Sequence, residues 1–234
     1  MTERLAVIVG VGGALGPALV QSLSAKGYSL VGISRSGKFD SIGGDPRQPQ
    51  PLEIFAGDVA EPNFMQATQA KIAANYGEAE VLIYNAHQLL ISSFADTSSD
   101  LFEQLWRSNV FGAFLAAKAF IPSMLKSERG TIIFSGATGS IRGSAKFCAF
   151  AASKFALRGL GQSLAREYAP LGIHVAHVVI DGLIWGDKAR DFHKVQRDQC
   201  IEAEQVAKTY INIIEQDPSA WTQELDLRPR GGKF

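Results

Sequence analysis

The sequence predicts an α/β fold in which a doubly wound, Rossmann-like parallel sheet is flanked by helices. Short β-branched, apolar runs alternate along the chain with longer stretches of helical spacing. The short runs are apolar throughout instead of alternating with polar residues, which is typical of strands buried on both faces of a sheet. Right-handed helical crossovers between successive parallel strands then give the doubly wound arrangement.

The strands and helices can be placed in order along the chain. The apolar runs cover 5–9, 29–33, 53–56, 81–84, 131–134 and 174–180, with a final edge strand at 225–229 that Pro229 ends. The helical stretches cover 14–26, 61–75, 98–126, 145–169 and 202–216. The stretch 36–51 is rich in glycine and proline and is predicted to be a surface loop. The stretch 181–200 is either a lid over a ligand or an ordinary connector.

Composition favours a single cytoplasmic domain over 1–234. The 234 residues are 46% hydrophobic and 20% charged, which is enough for one sizeable core. Lys and Arg total 23 and balance 23 Asp and Glu, whereas a nucleic-acid binder usually has a basic excess. We identify neither a long apolar run nor a signal-peptide pattern, so we expect no membrane span. Two cysteines are too few for a disulfide framework or a four-cysteine zinc site, and no metal is expected.

Four glycines lie between the first predicted strand and the first helix: Gly10, Gly12, Gly13 and Gly16. Glycine permits positive φ and a close approach of the backbone to a phosphate, and a helix N-terminus offers unpaired N–H groups to a pyrophosphate. No Gly-Lys-Ser or Gly-Lys-Thr follows, so the loop is not a P-loop. The pattern favours a dinucleotide site, and the alternative is a tight turn without a ligand.

The end of the second strand indicates which dinucleotide binds. A carboxylate roughly 20 residues after the glycine loop would bind a ribose 2′-hydroxyl and repel a 2′-phosphate. Ser34 occupies that place and Arg35 follows it. Because arginine forms charge-assisted, bidentate bonds with phosphate, the pair favours NADP over NAD. The alternative is that Arg35 is a solvated surface residue.

Six short motifs follow one another in a recognisable order. Gly10 and Gly16 are the outer glycines of the first motif, with Ala14 at its middle position. The other five are Tyr84-Asn85-Ala86-His87, Asn109, Phe134-Ser135-Gly136, Phe150-Ala151-Ala152-Ser153-Lys154 and Asp181-Gly182. In this order and spacing they resemble the short-chain dehydrogenase/reductase family over nearly the whole chain. The resemblance implies oxidoreductase activity with an NAD(P) cofactor.

The resemblance also implies site residues. Catalytic roles fall on Asn109 and Lys154. Cofactor contacts fall on Gly10, Gly12, Gly13, Leu15, Gly16, Ser34, Arg35, Asp58, Val59, Asn85, Ala86, Lys154, Asp181 and Gly182. Asp58 would contact the adenine or instead cap the following helix. Asp181 would accept from the nicotinamide amide, orient a substrate, or cap its loop.

The sequence departs from the family at two catalytic hydroxyls. The family's tyrosine, the general acid or base at the substrate oxygen, aligns with Phe150, and its serine aligns with Gly136. No tyrosine lies between Tyr84 and Tyr168, so a shifted alignment cannot restore one. General acid catalysis contributes roughly 10²–10⁴-fold, so ordinary carbonyl reduction should be weak unless another group substitutes. The candidate substitutes are Ser135, Thr138, Ser140, Ser144, Cys148 and His87.

Two classes of function are compatible with these residues. One is an NADP(H)-dependent oxidoreductase that acts on a small carbonyl or alcohol by an altered proton path. The other is a catalytically inactive dinucleotide-binding sensor or scaffold. A methyltransferase is disfavoured because that chemistry has no use for Asn109 and Lys154. The helix at 145–169 has apolar residues on more than one stripe, which predicts a homodimer or homotetramer.

Overall fold

A computed structural model describes residues 4–39 and 47–231 of the chain. These residues form a seven-stranded parallel sheet with the strand order β3-β2-β1-β4-β5-β6-β7. The strands are β1 (Arg4–Val9), β2 (Tyr28–Ser34), β3 (Glu53–Ala56), β4 (Ala79–Tyr84), β5 (Gly130–Ser135), β6 (Ile173–Ile180) and β7 (Glu224–Leu227). The predicted α/β fold class is confirmed. The strand order reverses between β1 and β4, where ligands bind in sheets of this kind.

Six α-helices cover the two faces of the sheet within the described residues. They are α1 (Leu15–Ala25), α2 (Pro62–Tyr76), α3 (Ser99–Trp106), α4 (Gly112–Lys126), α5 (Cys148–Tyr168) and α6 (Ala203–Ile214). A π-helical turn, Arg107–Phe111, joins α3 to α4. Local sequence sets the ends of these helices: Pro62 occupies the first turn of α2, and Gly77 follows its last residue with a φ of +87°.

The core consists of two apolar layers separated by the sheet. Side chains of α1 and α6 pack on one face, where Leu19, Leu23 and Val206 are fully buried. Side chains of α2, α4 and α5 pack on the other face. Every residue of β6 and five of the six residues of β1 are buried. This burial is expected for strands that helices cover on both faces of the sheet.

The helical run from Ser99 to Lys126 is long and apolar enough to cross a membrane by length and composition. The sequence analysis finds no apolar run of about eighteen residues here, because charged residues such as Arg107 and Lys118 interrupt the stretch. In the structure 61% of its apolar window is buried inside the protein, as expected for a core helix.

The two stretches predicted to be irregular are not alike, because 181–200 contains two short helical turns, Lys188–Phe192 and Arg197–Gln199. The described part of the 36–51 loop contains no helix or strand, and its residues 40–46 lie outside the described residues. The 181–200 stretch is held by a parallel bridge between Ile184 and Ile201. That bridge adds a short extension beyond β6 at the carboxyl edge of the sheet.

Candidate functional site

The glycine loop approaches the end of β4 so closely that side chains are excluded. A Cβ on Gly10 would lie 2.4 Å from the backbone nitrogen of Ala86, and Gly10 has a φ of +89°. A Cβ on Gly16 would lie 1.7 Å from the backbone oxygen of Val11. At Gly12 and Gly13 no atom stands within 4 Å of such a Cβ, so this part of the loop presents bare backbone to solvent. The loop therefore fits a pyrophosphate above the first turn of α1.

Asn85 fixes the other side of this crevice. Its Nδ2 donates to the backbone oxygen of Gly10 at 2.8 Å, and the side chain is buried. The backbone N–H groups of Asn85 and Ala86 both donate to the oxygen of Val9 at 2.8 Å. Asn85 thus acts on the cofactor site by holding the glycine loop in place.

A polar cleft of about 400 Å³ lies beyond the ends of β2 and β3. Its lining includes Arg35, Asp58 and Gln88, together with residues of α3. Arg35 is exposed, whereas the Ser34 hydroxyl accepts from the backbone N–H of Gly37 at 3.1 Å. The cleft is therefore open to a ligand group at Arg35.

Asp58 and Val59 have different surroundings. The Asp58 carboxylate accepts from the Ala60 N–H at 2.9 Å, and Glu61 occupies the N-cap position of α2 without a side-chain capping bond. The alternative in which Asp58 caps the helix is therefore not observed. Val59 is buried in the core beside Gly112, and only its backbone remains for a cofactor.

Lys154 is buried at the centre of the site. Its ammonium donates to the backbone oxygen of Ser135 at 2.9 Å, and only 2% of the residue is exposed. Burial lowers the pKa of Lys154 to about 7, because removal from water penalises the charged form. Lys154 therefore carries a proton that it can release near neutral pH.

Phe150 lies one helical turn before Lys154 and belongs to a small apolar cluster. The cluster contains Phe150, Leu105 and Ala149, with Ala137 and Phe147 packed against it. The ring centre is 5.9 Å from the Lys154 ammonium, and the ring has no group that can donate a proton. The surface beside Lys154 is therefore apolar.

The side-chain direction after β5 corrects the predicted place of the family serine. A Cβ on Gly136 would lie 2.5 Å from the ring of His177 and so would point away from Phe150. The next residue, Ala137, packs against the Phe150 cluster. The assignment of the serine position to Gly136 is thus wrong by one residue, and Ala137 occupies the place that faces Phe150.

Asn109 lies in the π-helical turn and is fully buried. Its side-chain oxygen accepts from the Gln88 N–H at 2.7 Å, and its Nδ2 donates to the Gln88 oxygen at 3.0 Å. The same Nδ2 donates to the Ser153 hydroxyl at 2.9 Å. These contacts make Asn109 a positioning residue that ties the loop after β4 to α5.

Three of the candidate hydroxyls are engaged elsewhere. Ser135 Oγ lies 2.8 Å from the buried hydroxyl of Tyr210, on the opposite face of the sheet from Lys154. Ser140 is completely buried and accepts from the Ala137 N–H. Thr138 donates to Asp181 at 2.6 Å. None of these three is directed at the surface beside Phe150.

The remaining candidate proton donors are Cys148, His87 and Ser144. Cys148 Sγ lies 3.8 Å from the Thr97 hydroxyl. His87 is exposed, and its Nδ1 lies 3.1 Å from the backbone oxygen of Asn85. Ser144 is an exposed loop residue. No candidate substitute among these six residues is a buried hydroxyl directed at Phe150.

Asp181 forms a charged cluster directly after β6 that was not predicted from the sequence. Only 5% of this residue is exposed. One oxygen accepts from Thr138 at 2.6 Å and from Arg142 at 3.2 Å, while the other lies 3.3 Å from Arg228. Asp181 and its partners together follow three different strands, β6, β5 and β7, so no local motif signals the cluster. In the described residues no group of three His, Cys, Asp or Glu side chains is placed to hold a metal.

The segment after Asp181 lies against the glycine loop. A Cβ on Gly186 would come within 3.1 Å of the Ala14 side chain. Gly182 is packed against Pro229, where a Cβ would lie 2.9 Å from the proline ring. This placement favours the lid interpretation of 181–200 over that of an ordinary connector.

Comparison with known proteins identifies the family. Residues 4–184 match the family model described as short chain dehydrogenase. The chain belongs to this family. The 3-oxoacyl-[acyl-carrier-protein] reductase FabG of Escherichia coli (strain K12) is 26% identical over 244 residues, covering 99% of this chain and 97% of the relative. A short-chain dehydrogenase/reductase of Armillaria gallica is 29% identical over 183 residues, covering 74% of this chain and 68% of the relative.

Solved structures of this short-chain dehydrogenase family share the same fold. A short-chain dehydrogenase from Rhodopseudomonas palustris superposes with a TM-score of 0.80 at 26% identity, covering 97% of this chain and 98% of that one. A metagenomic short-chain oxidoreductase in complex with NADP superposes with a TM-score of 0.81 at 22% identity, covering 97% and 96%. The chain is therefore an oxidoreductase of the short-chain dehydrogenase type, with an NAD(P)-binding Rossmann fold.

Proposed function

We propose that this protein is an NADP(H)-dependent oxidoreductase of small carbonyl or alcohol substrates in which Lys154 replaces the usual tyrosine as proton donor. The observation that carries the proposal is the buried Lys154 ammonium beside the hydroxyl-free Phe150 ring. Among the described side chains next to Phe150, Lys154 is the one with an ionisable proton and a pKa near neutral.

The residues of the crevice fit a dinucleotide. The bare backbone at Gly12 and Gly13 would hold the pyrophosphate, and Arg35 would bind the phosphate on the adenosine ribose. Leu15 and Gly16 begin the helix whose N-terminus would face the pyrophosphate. When bound, the nicotinamide supplies or accepts a hydride. The metagenomic relative, whose structure is a complex with NADP, adds support for this preference.

Replacing Arg35 tests the preference for NADP. Arg35→Ala should weaken NADPH binding by about tenfold or more and leave NADH binding nearly unchanged, because a charge-assisted bond to the 2′-phosphate is lost. Fluorescence titration of both cofactors against both proteins measures this. Arg107, which also lines the cleft, already bonds to Glu61, so Arg107→Ala is the control and should not weaken NADPH binding selectively. Equal affinity of the wild type for NADPH and NADH would contradict the assignment.

The groups that position and release the proton of Lys154 belong to this chain. One N–H of the ammonium is held by the Ser135 oxygen at 2.9 Å, which fixes its position. The other two N–H groups remain for the substrate oxygen or a water molecule beside it. As the carbonyl becomes an alcohol, the ammonium gives up its proton and becomes a neutral amine, a form that burial favours. In the reverse direction the amine accepts the proton.

The pH dependence of turnover tests this role. Because reduction requires the protonated form of Lys154, the reductase rate should be constant below pH 7 and fall about tenfold per pH unit above it. Oxidation should show the opposite dependence. Initial rates in both directions from pH 5 to 9 measure the profile. The pKa of His177 is lowered to about 4 by burial, so this histidine does not titrate within that range. A reductase rate that does not change between pH 6 and 9 would rule out Lys154 as the donor.

A second candidate function is an NADP(H)-binding protein without turnover. The apolar cluster of Phe150, Ala137 and Phe147 favours it, because no hydroxyl in that cluster can bind a substrate oxygen. Rapid mixing of the NADPH complex with reactive diketones distinguishes the two functions. Oxidation of NADPH in the mixture supports the enzyme, whereas tight NADPH binding without oxidation supports the sensor or scaffold.

We also propose that the protein is a homodimer or homotetramer. Four large apolar side chains on α3, α4 and α5 are 41–43% exposed: Phe102, Trp106, Phe114 and Phe155. In α5 the buried stripe contains Phe150 and Leu157, so Phe155 is left on the outer face. Light scattering should give two or four chains per particle, and the Trp106→Glu, Phe155→Glu double variant should give one. A wild-type monomer at micromolar concentration would contradict the expectation.

A further inference from the structure

The loop between β5 and α5 carries positive charge at the edge of the candidate site. Residues 136–147 include Arg142 and Lys146 and no acidic residue. A Cβ on Gly139 would lie 3.1 Å from the Phe150 ring. The backbone N–H of Arg142 donates to the backbone oxygen of Thr138. The same short loop therefore carries both Gly139, which contacts the Phe150 ring, and Arg142.

Arg142 is held firmly and keeps unused donors. One of its terminal nitrogens donates to Asp181 at 3.2 Å, and 40% of its side chain is exposed. Among the described residues, Asp181 is the one that forms a hydrogen bond or ion pair with this guanidinium. A guanidinium has five N–H donors in a planar fork that matches a carboxylate. Most of that fork is available to a ligand.

Asp181 does not need Arg142 to compensate its charge. The buried carboxylate already accepts from Thr138 at 2.6 Å and lies 3.3 Å from the guanidinium of Arg228. Arg228 also pairs with Asp226 at 2.7 Å, so the two guanidiniums are balanced by two carboxylates, and Lys146 on the same loop adds one further positive charge. A positive patch of this kind attracts an anion.

We infer that Arg142 binds a carboxylate of the substrate, so that the substrate is a carbonyl or alcohol compound with an apolar body and an acidic end. The apolar body fits the surface formed by Phe150, Phe147, Ala137 and Leu90. The carboxylate fits the unused N–H groups of Arg142 at the rim of that surface. This inference rests on the proposed function, because it assigns the substrate class of the same site.

Matched acid and amide probes test the inference. We would measure the binding of 2-oxo-4-phenylbutanoate and of its primary amide by calorimetry, both to the free protein and to its NADP⁺ complex. The wild type should bind the acid at least about tenfold more tightly than the amide, because the bond to the guanidinium is charge-assisted. Arg142→Gln should bind the acid and the amide equally well, and Arg142→Lys should keep part of the preference for the acid. Lys146→Gln, which removes an exposed cation from the same loop, should leave most of the ratio intact.

The outcomes separate this inference from the proposed function. Equal affinity for acid and amide, or an unchanged ratio in Arg142→Gln, would overturn the carboxylate site even if NADPH binds and is oxidised. Failure to bind NADPH would overturn the proposed function, while the ratio on the free protein would still decide the carboxylate site. Thermal unfolding of each variant verifies that the protein remains folded when Arg142 is replaced.

Discussion

A Phe150→Tyr, Ala137→Ser double variant should reduce reactive diketones about 100-fold faster than the wild type. The new phenol would lie one helical turn from Lys154, and the nearby ammonium would lower its pKa. The new serine hydroxyl would face it, because Ala137 packs against the Phe150 cluster. General acid catalysis contributes roughly 10²–10⁴-fold, and a well-placed tyrosine should recover the lower part of that range. Steady-state NADPH oxidation measures the gain.

The control for this variant is Phe150→Tyr combined with Gly136→Ser. A side chain at position 136 would meet the His177 ring at 2.5 Å, so its hydroxyl would point away from the new phenol. This control should be less stable than the Ala137 variant and gain no more than Phe150→Tyr alone. If the Ala137 variant binds NADPH and still shows no gain, the proposed site of proton transfer is misplaced.

Much of the fold could be predicted from the sequence, because buried parallel strands are continuous apolar runs. The predicted limits of β2, 29–33, differ from Tyr28–Ser34 by one residue at each end. The π-helical turn at Arg107–Phe111 could not be predicted, because the sequence reads as one helical stretch over 98–126 with no glycine or proline within the turn to mark it. It nevertheless determines where Asn109 points.

The site was predictable in outline and not in detail. Glycine spacing located the loop at Gly10–Gly16, because close approach to Ala86 permits no other residue at Gly10. The direction of a side chain just past a strand end depends on the local turn. For that reason the sequence alone places the family serine at Gly136, although Ala137 is the residue that faces Phe150. The cluster of Asp181, Arg142 and Arg228 joins residues that follow three different strands, which no local pattern reveals.

Replacing Lys154 with methionine should stabilise the free protein at neutral and acidic pH while abolishing reductase activity. The pKa of Lys154 is lowered from 10.5 to about 7 in the folded protein. Below pH 7 the lysine is charged in both folded and unfolded states, so the full cost of its burial applies, at most about 5 kcal/mol. Between pH 7 and 10.5 only the unfolded chain binds the proton, so wild-type stability rises with pH. Loss of the bond to the Ser135 oxygen offsets about 1–3 kcal/mol of the gain from Lys154→Met.

Urea unfolding at pH 6 and pH 9 measures this difference. At pH 6 Lys154→Met should be more stable than the wild type by about 2–4 kcal/mol, and the advantage should shrink by roughly 2–3 kcal/mol at pH 9 because the wild type gains stability over that interval. Lys71→Met, on the exposed face of α2, provides the control and should show no such pH dependence. If the stabilities of the wild type and Lys154→Met change in parallel with pH, the lysine keeps an ordinary pKa. It would then be a poor proton donor at neutral pH, and the proposed route through Lys154 would fail with it.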